Sequence, residues 1–352
     1  MTSLDGFFAG AVPVATSAAA TMPERAGTTP PQEEARAEEA AAADEPSGVV
    51  EIETPSGIHV YYQAGPKRLY RLRQLFQEDK DFFNWTEVPS MSTVTKCLDK
   101  PGLVHWGEKV GINLVQELVR QGKVDLDYIK KFKPNDAHHP PWYGGEGLRE
   151  IGNREKLTNY HMKDAAASRG NSVHQALEGW AMSGVLADPD VYPEHERGFV
   201  VGLNKFLSES RFQPTMSEVI VASIEHKVAG RFDLLGNIPE PVELTYHLTE
   251  KNAYRKTFQP CSALVDLKTS AGVFEEYHLQ VAGYRGCLIE SGYLKDEAEL
   301  PTGYVLRVTL DGRYELVEVQ AEWLDFWFLR GLYDALNGIR DRSRAAAKKG
   351  AK

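Results

Sequence analysis

Four pairs of residues in this chain combine reactive side chains with a spacing that regular structure converts into proximity. In Ala263-Leu264-Val265-Asp266-Leu267-Lys268-Thr269-Ser270, a carboxylate and an ammonium interrupt an apolar, strand-forming run. Two residues apart on a strand, Asp266 and Lys268 point to one face, about 6–7 Å apart. Burying both charges there is costly unless they are paired or bind something. A carboxylate at the end of a buried strand can hold a divalent cation that activates water and neutralises phosphate charge. The neighbouring lysine can orient that water or stabilise developing charge. A plain structural ion pair satisfies the same pattern, so the other pairs must decide.

The second pair is Asp233, set among Phe232, Leu234 and Leu235, with Gly230 three residues before it. The third is Gly170 and His174, four apart and on one helix face. A glycine one turn before the imidazole leaves room for a strand or a ligand. The fourth is Gln280 and Tyr284, also four apart.

The elements that must position these residues follow from periodicity. Helices are predicted at 157–184 and 194–209, the first with Val173, Leu177 and Trp180 as its apolar stripe. Strands follow at 217–224 and 228–238, and 239–260 reads as a polar, irregular excursion. The Asp266 strand comes next, then a helix over 274–290. A hairpin at 302–309 and 313–320 turns at Asp311-Gly312, and an amphipathic helix runs from Trp323 to about Ala335 before a basic tail. Upstream, 58–63 and 68–72 flank a turn at 64–67 and read as a hairpin. Ser90 or Ser92 can cap a short helix, and Pro101 starts a longer one reaching about Gln121. The same Ser/Thr-rich cap, with Lys96 and Lys100 nearby, also suits a phosphate contact. His138 and His139 lie in a Pro/Gly-rich loop and are read as facing water. Gly144-Gly145-Glu146-Gly147 has no following Lys-Ser/Thr and is not a phosphate loop.

Four segments result: a disordered acidic arm at 1–48, a hairpin and helical lobe at 49–155, a core at 156–338 and a basic tail at 339–352. The 352 residues carry a net charge of −10. Residues 1–54 hold ten acidic and two basic side chains, which account for −8 of it. The remainder is near neutral, so a local basic surface for nucleic acid is not excluded. No stretch is long and apolar enough to span a bilayer, and the N-terminus lacks the basic region of a secretory signal. Cys97, Cys261 and Cys287 form neither a zinc pattern nor a disulfide framework, which suits a reducing cytoplasm.

In chain order the pairs read G-x-x-x-H on a helix, G-x-x-D on a strand, D-x-K on the next strand and Q-x-x-x-Y on the next helix. This set resembles the PD-(D/E)xK nuclease superfamily, in its RecB-like branch of CRISPR-associated-type and phage exonucleases. The motifs cover residues 165–290, and Pro89 to Trp106 is similar to the N-terminal part of actinobacteriophage members. The resemblance implies an α/β, restriction-endonuclease-like core: a mixed sheet of about five strands flanked by the His174 and Gln280/Tyr284 helices, with the N-terminal lobe over the active site. It also implies a metal-dependent DNA exonuclease acting in phage-type replication, recombination or repair, with an endonuclease or a non-catalytic DNA- or partner-binding scaffold as alternatives. By the same resemblance, His174, Asp233, Asp266 and the Leu267 carbonyl ligate Mg²⁺ or Mn²⁺, and Lys268 positions or deprotonates the attacking water. Gln280 and Tyr284 hold DNA or orient Lys268, Glu218 assists, and Arg169 reaches a phosphate. Tyr277, His278 and Arg285 are weaker candidates for strand contact. Several relatives carry four cysteines for an iron–sulfur cluster. This chain lacks that pattern, and no cluster is expected. DNA is the expected partner, with a recombination or replication protein as a further one, in the cytoplasm (the host's, if phage-encoded) and away from membranes.

Overall fold

A computed structural model of the chain describes residues 49–63, 69–74, 85–98, 116–122 and 159–350. The expected acidic arm, the 64–67 turn, Lys100, most of the Pro101 helix and the His138–His139 loop lie outside the described residues. The chain divides by contact into Met1–Ser47 and Gly48–Lys352, and all described residues belong to the second unit.

The molecule is α/β, with mixed and antiparallel sheets flanked by helices. Four strands open it: β1 (Val49–Glu53), β2 (Ile58–Gln63), β3 (Leu69–Gln74) and β4 (Thr86–Val88), joined in that order as an antiparallel sheet. The predicted hairpin is β2–β3, and β1 and β4 extend it on both sides. Ile58, Val60 and Tyr62 alternate inward along β2, as one buried face requires. A short helix α1 (Met91–Val94) follows, and the Ser90 hydroxyl accepts the Thr93 N–H at 3.1 Å, a local cap.

The central sheet has five strands in the order β11-β10-β9-β6-β5. They are β5 (Gln213–Ser223), β6 (Val228–Ile238), β9 (Cys261–Lys268), β10 (Thr302–Val308) and β11 (Tyr314–Glu318). Only β9 and β10 run parallel, and α4 (Glu275–Glu290) is the connection a parallel pair needs. The other helices are α2 (Asn159–Ser183), α3 (Glu194–Ser210) and α5 (Trp323–Gly350).

The sheet separates two cores. Val173, Leu177, Phe199, Leu203 and Phe206 of α2 and α3 pack with Leu234, Val265, Leu267 and Leu306. Val281, Tyr284 and Leu288 of α4, with Phe326 of α5, pack with Phe232, Leu235, Leu264 and Val305. A third cluster joins Ile58, Val60, Tyr62 and Leu72 to Ile220, Ala222 and Ala229, so the N-terminal sheet lies on the β5–β6 hairpin.

Two expectations are corrected. Residues 239–260 are not irregular: they form an antiparallel hairpin, β7 (Val242–Leu248) and β8 (Ala253–Phe258), anchored by buried Leu244, Leu248 and Phe258. Its outward residues are polar, so backbone pairing and a few inward side chains carry it. The last helix does not stop near Ala335 but continues to Gly350. Among the described residues no helix is long and apolar enough to cross a membrane.

Candidate active site

The site forms where the central sheet comes apart. The β6–β9 ladder ends at the pair Leu234↔Val265. One step further, the backbone bond is replaced by a side chain: Asp233 Oδ2 accepts the Leu267 N–H at 2.7 Å. Phe232 and Leu234 are two apart yet lie in different cores, so the strand's in–out alternation shifts at Asp233. On the other side of β6, the pairs Ser217↔Leu234 and Val219↔Phe232 bracket Glu218 and Asp233 and set them opposite each other. Glu218 has φ +55°, a left-handed conformation that costs a non-glycine residue energy and that clusters at functional sites. Since N–H and C=O of a strand residue point to the same side, the Leu267 carbonyl faces the same fork as its amide.

His174 reaches this fork from α2. Its Nδ1 lies 3.2 Å from Asp233 Oδ1 and 3.9 Å from Glu218 Oε1. Ligand atoms of His174, Glu218 and Asp233 all fall within 4.8 Å of one another. Arg231 Nε contacts Glu218 Oε2 at 2.6 Å, and its guanidinium lies 5.7 Å from the Tyr62 ring centroid. Asp266 is 1% exposed, and Lys268 Nζ ion-pairs with its Oδ2. Among the described residues Lys268 is the donor at that buried oxygen. Its other oxygen has Gln280 Nε2 at 3.5 Å, a long contact. Gln280 donates a stronger bond, 2.7 Å, to the Tyr284 hydroxyl, and Lys268 Nζ stands 5.1 Å from the Tyr277 ring centroid.

Two glycines shape the surroundings in different ways. A Cβ on Gly230 would lie 2.6 Å from Tyr284 Cε1 and 2.7 Å from Met91 Cγ, so Gly230 lets Tyr284 and α1 close onto β6. A Cβ on Gly170 would meet Thr269 Oγ1 at 3.8 Å, an ordinary contact, so this glycine widens the cleft without being sterically required.

The charges act on one another through a poorly solvated space. Burial pushes the Asp266 carboxyl up to about 6, with Asp233 adding to the rise and Lys268 opposing it. Burial also presses on Asp233, but His174, Lys268 and the Leu267 amide outweigh it and hold this carboxyl below its usual range. Glu218 is pushed up to about 7, first by burial and then by Asp233, against the pull of Arg231. His174 and Lys268 both lose affinity for a proton through burial, yet the carboxylates more than restore it and raise both. A lysine acting as a base needs a depressed pKa. The carboxylates around Lys268 push the other way, and it stands as a cation.

These residues line a cleft of about 730 Å³ between α2, α4 and the N-terminal lobe. Gly170, His174, Glu218, Asp233, Asp266, Lys268, Gln280 and Tyr284 all border it. Arg169 does not: its guanidinium lies over the Phe199 ring at 5.0 Å. Of the weaker candidates, only Tyr277 lines the cleft. His278 Nδ1 accepts the Gln320 N–H, and Arg285 Nε donates to the Pro301 carbonyl. The cysteines are free thiols, Cys287 buried beneath α4. Arg231, Glu178, Glu276 and Tyr62 border the cleft without having been singled out as site residues, and Lys96, named for a phosphate contact at the Ser/Thr-rich cap, borders it too. Glu178 carried a usable signal, one helical turn after His174. Arg231 carried none, because its importance lies in pairing across to Glu218.

No protein-family model matches the chain, and no curated protein matches it.

Proposed function

We propose that this chain is a metal-dependent deoxyribonuclease on a restriction-endonuclease-like core, acting on DNA ends as an exonuclease. The observation that carries the reading is convergence: members of all four motif pairs, spread over 115 positions of sequence from Gly170 to Tyr284, border one cleft, and Gly230 packs behind it against Tyr284. Their coming together is independent of the resemblance that suggested them.

The donor set fits a divalent cation. Five carboxylates, Glu178, Glu218, Asp233, Asp266 and Glu276, border the cleft against the three cations Lys96, Arg231 and Lys268 and the His174 imidazole. Asp266 Oδ2 has the Lys268 ammonium and Oδ1 only a long contact from Gln280, which leaves carboxylate lone pairs for an ion. One imidazole among carboxylates suits Mn²⁺ as well as Mg²⁺. His174, Asp233 and Asp266 would hold the ion, with Glu218 and the Leu267 carbonyl beside them. Such an ion supplies Lewis acidity toward the phosphate and lowers the pKa of water.

The chain's own residues do the rest. Lys268, kept cationic by Asp266 and Asp233, donates to the attacking water or to a phosphate oxygen and holds it over the fork. Water oxygen bonds to phosphorus as the bond to the leaving sugar oxygen breaks; the attacking water gives up one proton to solvent and the leaving oxygen takes one from it. Gln280, set by Tyr284, steers Asp266. Lys96 and Tyr277 give the cleft a cation and a ring face for a nucleic-acid strand. Service in phage-type replication, recombination or repair, beside a partner protein of that process, rests on the family resemblance.

The test is cleavage of linear DNA labelled separately at its 5′ and 3′ ends, in Mg²⁺, Mn²⁺ or EDTA, beside Lys268→Ala and closed circular DNA. Metal-dependent loss of one end label, with circles spared and the variant inert, is the expected result. Cut circles replace the exonuclease by an endonuclease. Binding without cleavage in either metal overturns catalysis altogether.

A further inference from the structure

The helix α5 buries one side and leaves the opposite side apolar. Phe326, Leu329 and Arg330 face the body of the protein. Leu324, Phe328, Leu332 and Ile339 are exposed, Phe328 to 70%. With exposed Ala335 they recur at intervals of four, four, three and four, and exposed Gly331 lies beside Leu332. At 100° per residue they fall within one 100° arc, a seam about 22 Å long. Single exposed apolar side chains need no explanation, but a continuous seam of coiled-coil spacing does.

The pattern is complementary to itself when reversed. About a two-fold axis between Gly331 and Leu332, Leu324 of one helix meets Ile339 of the other, and Phe328 meets Ala335. Leu332 meets Gly331, where a Cβ would find nothing within 4 Å, so two helices can approach closely. Large residues thus face small ones at the centre, and aliphatic residues face each other at the ends. The charges agree with this direction alone. The seam ends in exposed Arg342, and an antiparallel partner brings exposed Glu322 and Asp325 beside it. A parallel partner would set Arg342 against its own copy.

We infer that α5 is a homodimerisation helix, pairing antiparallel with α5 of a second copy of this chain about Leu332. This is an isologous contact, in which each residue's partner is reciprocated. It does not depend on the proposed chemistry, since none of the seam residues borders the cleft.

The experiment is sedimentation of the full chain over a concentration series into the tens of micromolar, with Leu332→Arg beside it. The parent is expected to pass from monomer to dimer with rising concentration. Leu332→Arg, which sets two cations face to face at the axis, is expected to raise the dissociation constant at least tenfold. Oxidative cross-linking fixes direction. Leu332→Cys alone is expected to cross-link, Leu324→Cys alone is not, and a mixture of Leu324→Cys with Ile339→Cys is. A parent monomeric at every concentration overturns the inference, as does a dimer unaffected by Leu332→Arg. Self-cross-linking of Leu324→Cys overturns the antiparallel arrangement.

Discussion

Two buried ion pairs lie side by side on the central sheet, and they are built to opposite specifications. Lys268 and Arg307 are register partners on β9 and β10. Arg307 Nε donates to Glu315 Oε1 at 2.5 Å and Nη1 to the Ala271 carbonyl at 3.1 Å. Glu315 Oε2 accepts the Leu248 N–H at 2.6 Å, which ties β11 to the β7–β8 hairpin. Both carboxylate oxygens have donors. One strand over, Asp266 has its lysine on one oxygen and only a long contact from Gln280 on the other. Burial and pairing are common to both, so neither marks function. What separates them is hydrogen-bond satisfaction: the saturated pair fastens elements together, and the unsaturated one has coordination left to offer.

Replacing one acid in each pair should split the two roles. Asp266→Ala is expected to lower cleavage about 10³-fold or more, the scale of losing several kcal/mol of charge stabilisation, and to cost less stability than the Glu315 variant, because Lys268 keeps Asp233 as a second acidic neighbour. Glu315→Ala is expected to cost about 3–5 kcal/mol of stability, because Arg307 stays buried without its partner. Cleavage per folded molecule should be near the parent's. Urea unfolding and turnover, measured on the same samples, decide this. Equal stability losses for the two variants would erase the contrast.

Glu218 sharpens the same point through pH. Its carboxyl has a normal value near 4.5 and is pushed up to about 7 in the fold. Below 4.5 both states hold the proton. Between 4.5 and 7 the unfolded chain releases it while the folded protein keeps it, so stability falls as pH rises and the full cost stands above 7. In EDTA, Glu218→Gln should therefore gain on the parent between pH 5 and 8, by up to about 3 kcal/mol. A constant difference across that range would place Glu218 with the saturated pairs.

The smallest effect expected is on the residues that steer Asp266. Tyr284→Phe removes the oxygen that Gln280 grips and should slow cleavage about tenfold, with the melting temperature held. Cleavage at the parent rate would leave Tyr284 as packing against Gly230.

Most of the site was legible because its residues break local rules. Asp233 and Asp266 are charges inside apolar runs, and the Gly170/His174 and Gln280/Tyr284 pairs have a spacing that a helix turns into a shared face. What stayed hidden depends on register. Nothing in Ser217-Glu218-Val219 announces a left-handed Glu218, or that Arg231 pairs across to it. The β7–β8 hairpin escaped because pairing of backbone, rather than apolar alternation, holds it: Ala253 to Thr257 are all exposed. The length of α5 escaped because beyond Ile339 no large apolar residue recurs to mark a stripe.

The hydrogen bond from Leu267 to Asp233 has a consequence for observation. Where a neighbouring strand would supply a carbonyl, this amide depends on a titratable side chain. Its exchange with deuterium therefore follows the state of Asp233 rather than the stability of the sheet. Ions that draw the carboxylate away would unprotect one amide and leave Val265 and Leu264 slow. A single backbone proton thus serves as an internal gauge of what the fork is holding, readable without any substrate.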